Sequence, residues 1–281
     1  MNALDPALIR PLIRAALTED ASHGDITSEA CLPRDARSRA KVITREACRV
    51  AGLDLSRMIF EELDPACRFH TTLSEGQEVA ANTTLFTLEG PSRALLQGER
   101  TALNFLSRLC GVATMTARYV ECLQGTRARL LDTRKTTPGL RLLEKYAVRV
   151  GGGLNHRFSL SDGVLLKENH LRASGGITAA VKRAREHVPP SLALEVEVTN
   201  LQELREALSA GVDMIMLDNM SLSEMSEAVA ITQGRARLEA SGNVTLDRLA
   251  EIAATGVDFI STSATIRKAP WIDLSMLFDT P

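Results

Sequence analysis

Residues Ala210–Leu217 read AGVDMIML and residues Thr255–Thr262 read TGVDFIST. Each phrase ends an amphipathic helical pattern with a glycine and then enters an apolar run short enough for a buried strand. The same alternation extends outward from both. Strands are expected at Leu130–Asp132, Val164–Leu166, Leu194–Val198, Met214–Leu217, Arg237–Ala240 and Phe259–Ser261, with helices near 140–150, 178–187, 201–210, 222–231 and 246–254. Units of about 20–35 residues repeated in this way predict a parallel sheet, and the two kindred phrases favour its closure into an α/β barrel over a doubly wound sheet.

Upstream of this region the pattern changes. Asp5 and Pro6 make a helix start, after which Leu8, Ile9, Leu12, Ile13, Ala16 and Leu17 share one helical face. A strand near Ala40–Thr44, a helix over Leu53–Leu63 and strand-like pieces near Phe69 and Leu85 describe a small α+β domain. A long helical stretch then runs from Ser92 to Gln124, with a break expected near Gly111. Its apolar stripe is Leu96, Leu103, Leu106, Leu109 and Ala113, and a separate polar stripe holds Arg100, Asn104 and Arg108.

Composition narrows the function classes. The 281 residues are 44% apolar, which is ample for packed cores and argues against disorder. A net charge of −2 supplies no global basic field for nucleic acid, so cationic function has to lie in local clusters. Cys31, Cys48, Cys67, Cys110 and Cys122 are scattered without a CxxC pair, which suggests neither a disulfide framework nor a zinc site. No apolar run approaches the roughly 18 residues of a membrane span, and a cytoplasmic enzyme without membrane or nucleic-acid partners is expected.

In a parallel α/β architecture ligands bind beyond the carboxyl ends of the strands. After the first strand come Thr133, Arg134, Lys135, Thr136, Thr137, Pro138 and Gly139, two adjacent cations leading into a Thr-Pro helix start whose amides favour anions. Gly151 to Gly153 precede Asn155, His156 and Arg157. Lys167 ends an apolar strand, with Glu195 and Asp218 as its expected partners; these acids could instead grip sugar hydroxyls or a magnesium ion. Ser241, Gly242 and Asn243, ahead of a helix expected from Thr245, have the composition of a phosphate cradle. So many cations at one end of one sheet point to a small, heavily anionic substrate.

The ordered motifs GDIT at Gly24, GERTALNFL at Gly98, DTRKTTPGLR at Asp132, EKYAVRVGGGLNHR at Glu144, LLKENH at Leu165, EVEV at Glu195 and MLDN at Met216 resemble the quinolinate phosphoribosyltransferase family over essentially the whole chain. The resemblance implies a type II phosphoribosyltransferase. It would convert quinolinate and 5-phosphoribosyl 1-pyrophosphate to nicotinate mononucleotide, pyrophosphate and carbon dioxide, with Mg²⁺, in de novo NAD synthesis. It further implies an incomplete TIM-like α/β barrel of six or seven strands over 114–269. An N-terminal α+β open-faced sandwich over 1–113 would be completed by 270–281. The homodimer it implies, open to further assembly, has each sandwich cover the partner's barrel.

By position, Arg134, His156, Arg157 and Lys167 match quinolinate-binding residues, and Arg100 matches an arginine contributed from the neighbouring subunit. Lys135 matches a pyrophosphate contact, and Thr133 is counted among the substrate-binding residues. Glu195 and Asp218 match residues at the ribose and the metal, held directly or through water or substrate. Ser241, Gly242 and Asn243 with Thr262, Ser263 and Ala264 match the 5′-phosphate loops. Lys135, Lys167, Glu195 and Asp218 would carry the catalytic work. Ser263 stands where many members have Gly, and Ile266, Arg267 and Lys268 replace a commoner Thr, His, Ser run. Three other readings compete: a paralogous phosphoribosyltransferase associated with molybdenum utilisation, an aldolase using Lys167 as a Schiff base, and a non-catalytic metabolite-binding barrel.

Overall fold

The computed structural model describes residues 4–279. The chain packs into two units, one made of Met1–Ala117, Thr137–Gly152 and Ala269–Pro281, the other of Arg118–Thr136 and Gly153–Lys268. Contact thus groups Thr137–Gly152, which the sequence pattern assigns to the barrel, with the first unit.

The first unit opens with α1 (Pro6–Asp20), whose Asp5 carboxylate accepts from the Ala7 amide at 2.9 Å. Ile9, Ile13 and Leu17 are buried along it, but Leu8 is 58% exposed, so the packed stripe is narrower than the apolar pattern suggested. Then follow α2 (Ile26–Cys31), β1 (Arg37–Thr44), β2 (Cys48–Arg49), α3 (Leu53–Leu63), β3 (Arg68–His70), β4 (Glu78–Val79), β5 (Thr84–Pro91) and α4 (Ser92–Glu121). One four-stranded sheet has the order β12-β1-β5-β3, in which β12 (Leu274–Phe278) returns from the far end of the chain to pair antiparallel with β1.

The expected break near Gly111 is absent, because α4 runs unbroken for 30 residues. Gly111 answers a different need. A Cβ there would lie 1.8 Å from the Pro270 carbonyl oxygen, so glycine lets the returning C-terminal segment lie directly on the helix.

The second unit begins with β6 (Arg129–Leu131); α5 (Arg141–Val150) belongs to the first. There follow β7 (Val164–Leu166), α6 (Glu168–Ser174), α7 (Ile177–His187), β8 (Leu194–Val198), α8 (Leu201–Ser209), β9 (Met214–Asp218), α9 (Leu222–Thr232), β10 (Arg237–Ser241), α10 (Leu249–Ala254), β11 (Phe259–Ser261) and α11 (Ala264–Arg267). The sheet is parallel, in the order β6-β11-β10-β9-β8-β7. Read as a ring, this is a barrel whose last strand has closed on its first, leaving a single opening between β6 and β7. Leu154 makes a parallel bridge with Leu131 beside that opening.

Register decides what each face carries, since parallel partners point the same way. Val196, Ile215, Leu217, Leu238, Ala240 and Ile260 are fully buried on one face. The other face holds Glu195 level with Met214 and Arg237, and Glu197 level with Met216, Glu239 and Phe259. The interior of this barrel is therefore studded with charge.

Candidate active site

The chain beyond β6 is anchored by Asp132, which is fully buried and accepts from Asn155 Nδ2 at 2.7 Å and from the His156 amide at 2.9 Å. This grip sets the loop that carries His156 and Arg157. The His156 ring turns inward, with Nε2 3.0 Å from Glu195 Oε2 and 3.4 Å from Glu239 Oε2, while Nδ1 accepts the Arg157 amide at 2.7 Å. Burial alone would lower the imidazole pKa, but hydrogen bonds and charge from Glu195 and Glu239 outweigh it and push it up to about 10. The Arg157 amide aimed at Nδ1 opposes protonation, but that one bond is outweighed by the two acids at Nε2, which donates toward Glu195. Burial, and then the charge of Glu239, raise the Glu195 carboxyl against the lowering bond from His156. His156 thus meets two acids inside the barrel.

Arg134 and Arg157 bring like charges together. Burial and then the Arg134 charge hold the Arg157 guanidinium below its ordinary value, and its Nη1 also donates to the Gly163 carbonyl at 3.1 Å. Two neighbouring guanidiniums in a half-buried loop are stabilised by an anionic ligand.

Two sequence expectations need correction here. Lys167 pairs with Glu197, not with Glu195 or Asp218. The cause is register: Leu166 is level with Val196, so Lys167 continues level with Glu197, whereas Glu195 lies two residues deeper. The Thr-Pro segment is also not a helix start open to anions. α5 begins only at Arg141, and the Thr137 amide and hydroxyl both donate to Glu144 at 2.8 Å.

Between the ends of β6, β10 and β11 lies a cavity of about 360 Å³. Ser241, Gly242, Asn243, Thr262, Ser263 and Ala264 line it together with Thr133, and its cations are Lys135, Arg267 and Lys268; among the described residues no carboxylate lines it. Two of the three positions where the chain departs from the commoner Thr, His, Ser run, Arg267 and Lys268, thus place cations at this wall. The helix expected from Thr245 starts at Leu249, so side chains and cations rather than a helix start supply the anion field. The Thr262 hydroxyl donates to the Val244 carbonyl at 3.4 Å and accepts the Ala264 amide at 3.1 Å, which makes it a tie between the two loops.

Asp218, at the end of β9, is half-buried and accepts from Asn219 Nδ2 at 3.1 Å. Glu195 is level with Met214, four residues below Asp218, or roughly 13 Å along the strand. One ion bound directly by both is therefore excluded by length. Glu197, level with Met216, is the interior acid nearer the mouth. Sequence reading assigned no site role to Glu197, Glu239, Asp132 or Asn155, although all but Glu239 stand in the motifs it quoted; the signal for the two glutamates was the inward alternation along β8 and β10.

Arg100 lies in the first unit. It is exposed and lines a cavity of about 370 Å³ with Leu12, Asn104, Phe105, Leu140 and Trp271. Arg108, on the same stripe, is instead bound to the buried Glu144 at 2.8 Å.

Residues 112–277 match the family model described as quinolinate phosphoribosyl transferase, C-terminal domain, and residues 25–110 match that of the N-terminal domain. A probable nicotinate-nucleotide pyrophosphorylase [carboxylating] from Synechocystis is 47% identical over 280 residues, covering 98% of this chain and 95% of that protein. The Bacillus subtilis protein of the same description is 38% identical, covering 95% and 92%. A solved nicotinate-nucleotide pyrophosphorylase from Francisella tularensis superposes with a TM-score of 0.95 at 42% identity, over 99% of this chain and 98% of that one. Among the described residues no helix is long and apolar enough to cross a membrane.

Proposed function

The chain belongs to the quinolinate phosphoribosyltransferase family, and we propose that its parallel-sheet unit carries that family's reaction at the strand ends described above. The enzyme transfers the phosphoribosyl group of 5-phosphoribosyl 1-pyrophosphate to quinolinate with decarboxylation, supplying nicotinate mononucleotide for NAD synthesis. The bond from ribose C1 to pyrophosphate breaks with its electron pair leaving on pyrophosphate, and the pyridine nitrogen bonds to C1. The bond from C2 to its carboxylate then breaks; carbon dioxide leaves, and the electron pair held beside the ring cation takes up a proton.

The observation that carries this reading is the pair of cationic clusters at one end of the barrel: Arg134 beside Arg157, and Lys135, Arg267 and Lys268 around a cavity without a carboxylate. Quinolinate takes the first and the phosphoribosyl phosphates the second. Gathering these anions in a low-dielectric pocket is unfavourable without such cations, and charge moving onto pyrophosphate is stabilised by those already in place. Lys135 faces the phosphates and Lys167 the quinolinate carboxylates. His156, with both ring nitrogens engaged, orders the Arg157 loop over Glu195 and Glu239 rather than offering a vacant nitrogen.

Asp218, with Glu197 deeper on the same inward face, has the hard oxygen donors that suit Mg²⁺. The ion would neutralise the leaving pyrophosphate. Glu195 stays with His156. The working unit is a cytoplasmic homodimer in which Arg100 of one protomer completes the partner's quinolinate pocket. A Schiff-base role for Lys167 is disfavoured by its ion pair with Glu197.

Separate titrations with the two substrates test this division. Lys135→Ala should weaken phosphoribosyl pyrophosphate binding and Arg157→Ala quinolinate binding, each by about 2–5 kcal/mol for a lost charged hydrogen bond. The opposite pattern of losses overturns it.

A further inference from the structure

We infer that Asn219 is a positioning residue that ties the Asp218 carboxylate to the Ser241–Asn243 loop, so that the hold on the 5′-phosphate and the orientation of Asp218 are set together. The inference rests on the phosphoribosyl reading above and assigns a role to a residue absent from the phosphate-cavity lining.

β9 and β10 pair as far as Asp218 and Ser241, and the Asn219 amide extends the ladder one step by donating to the Ser241 carbonyl at 3.0 Å. There the chain turns sharply. Asn219 has φ +54° and Asn243 φ +48°, both in the left-handed region that asparagine tolerates better than most residues, and Gly242 between the loop's polar groups has φ +89°. The Asn219 carboxamide, on the surface, bridges these turns. Its Nδ2 donates to Asp218 Oδ2 at 3.1 Å, and its Oδ1 accepts from Asn243 Nδ2 at 3.0 Å.

The same group lies against the bare Cα of Gly242. A Cβ at 242 would sit 2.2 Å from Asn219 Oδ1 and 2.5 Å from its Cγ, so the loop can pass only because position 242 has no side chain. A donor toward a carboxylate and an acceptor from an amide are both required within one short planar side chain. Asparagine supplies both; aspartate offers acceptors only, and alanine neither. Flipping the amide would turn Oδ1 toward the Asp218 carboxylate and Nδ2 toward the Asn243 amide, which breaks both bonds. Left-handed backbone at two non-glycine residues persists where surrounding contacts over-determine it, and this carboxamide adds a side-chain contact between the two loops to the backbone bond from Asn219 to Ser241.

The consequence is specific to one half of the substrate pair. Without the carboxamide the Ser241–Asn243 loop loses its backing and Asp218 its donor, while Arg134, Arg157 and Lys167 are untouched. Calorimetric titration of the full-length protein with nicotinate mononucleotide, which carries the 5′-phosphate and needs no turnover, reads the first effect. Quinolinate alone reads the second.

Asn219→Ala should lower nicotinate mononucleotide affinity about 10-fold, as expected for two lost hydrogen bonds, and leave quinolinate affinity within about twofold. Asn219→Asp, nearly isosteric, should fall in the same way, because it sets a second carboxylate against Asp218. Asn243→Ala combined with Asn219→Ala should cost clearly less than the sum of the two single losses. Wild-type affinity for nicotinate mononucleotide in both Asn219 variants, or equal losses for both ligands, overturns the inference. Failure of the wild-type protein to bind either ligand removes the phosphoribosyl reading itself, and this inference with it.

Discussion

Glu239 is fully buried, faces His156 and stands level with Met216 and Phe259 inside the barrel. A histidine held between two interior acids makes the fold sensitive to alkali. The folded-state pKa of His156 is raised to about 10 from an ordinary value near 6.5. The stabilisation from its proton is therefore complete below pH 6.5 and is lost as pH rises through about 10. Denaturant titrations at pH 6.5 and 9.5 should show the protein less stable at the higher pH, and Glu239→Gln should flatten that slope by bringing the imidazole back toward its ordinary value. An unchanged slope in the variant would mean that Glu239 does not act on His156. Sequence reading found His156 through its glycine-rich approach, yet missed Glu239. A buried acid in a strand looks like any alternating residue until register shows what lies beside it, and the same blindness paired Lys167 with Glu195 instead of Glu197.

Helix α4 and strand β12 show a second kind of interaction that the chain order conceals. Gly111 invited the expectation of a break, because glycine lowers helix propensity and nothing nearby in sequence explains it. The explanation is some 160 residues away in sequence, at Pro270, whose carbonyl occupies the place of a side chain. Gly111→Val should therefore destabilise the protein by about 1–3 kcal/mol through overpacking, read as a lower thermal midpoint, although in an exposed helix the same change would favour the helix slightly. A variant as stable as the wild type would show that the close approach is not needed. The six barrel strands, by contrast, were legible almost to the residue, since each is a short run with apolar residues at least at alternate positions, set between helical patterns. The loops Ser241–Asn243 and Thr262–Ala264, proposed for the 5′-phosphate, were legible in composition but not in mechanism: the helix after the first starts later than expected, and the cations Arg267 and Lys268 line the cavity instead.

At the scale of the whole molecule, the proposal that Arg100 serves a partner's site has its own consequence. Homodimers of Arg100→Ala and of Arg157→Ala should each be nearly inactive. Random reassortment makes about half the dimers mixed, each with one intact site of two, so about a quarter of wild-type activity should return. If mass spectrometry confirms exchange and activity stays at the level of the separate variants, Arg100 does not act in trans. The central claim is more general: the site is built for a dicarboxylate and releases one carboxyl as carbon dioxide, because several cations converge where a single carboxylate would leave some unmatched. Its most direct test is a single assay following carbon dioxide, pyrophosphate and nicotinate mononucleotide from 5-phosphoribosyl 1-pyrophosphate with quinolinate, and with nicotinate in its place. The three products should appear in equal amounts from quinolinate, with little turnover of nicotinate; equal turnover of the two pyridines, or mononucleotide formed from quinolinate without carbon dioxide, would contradict the account.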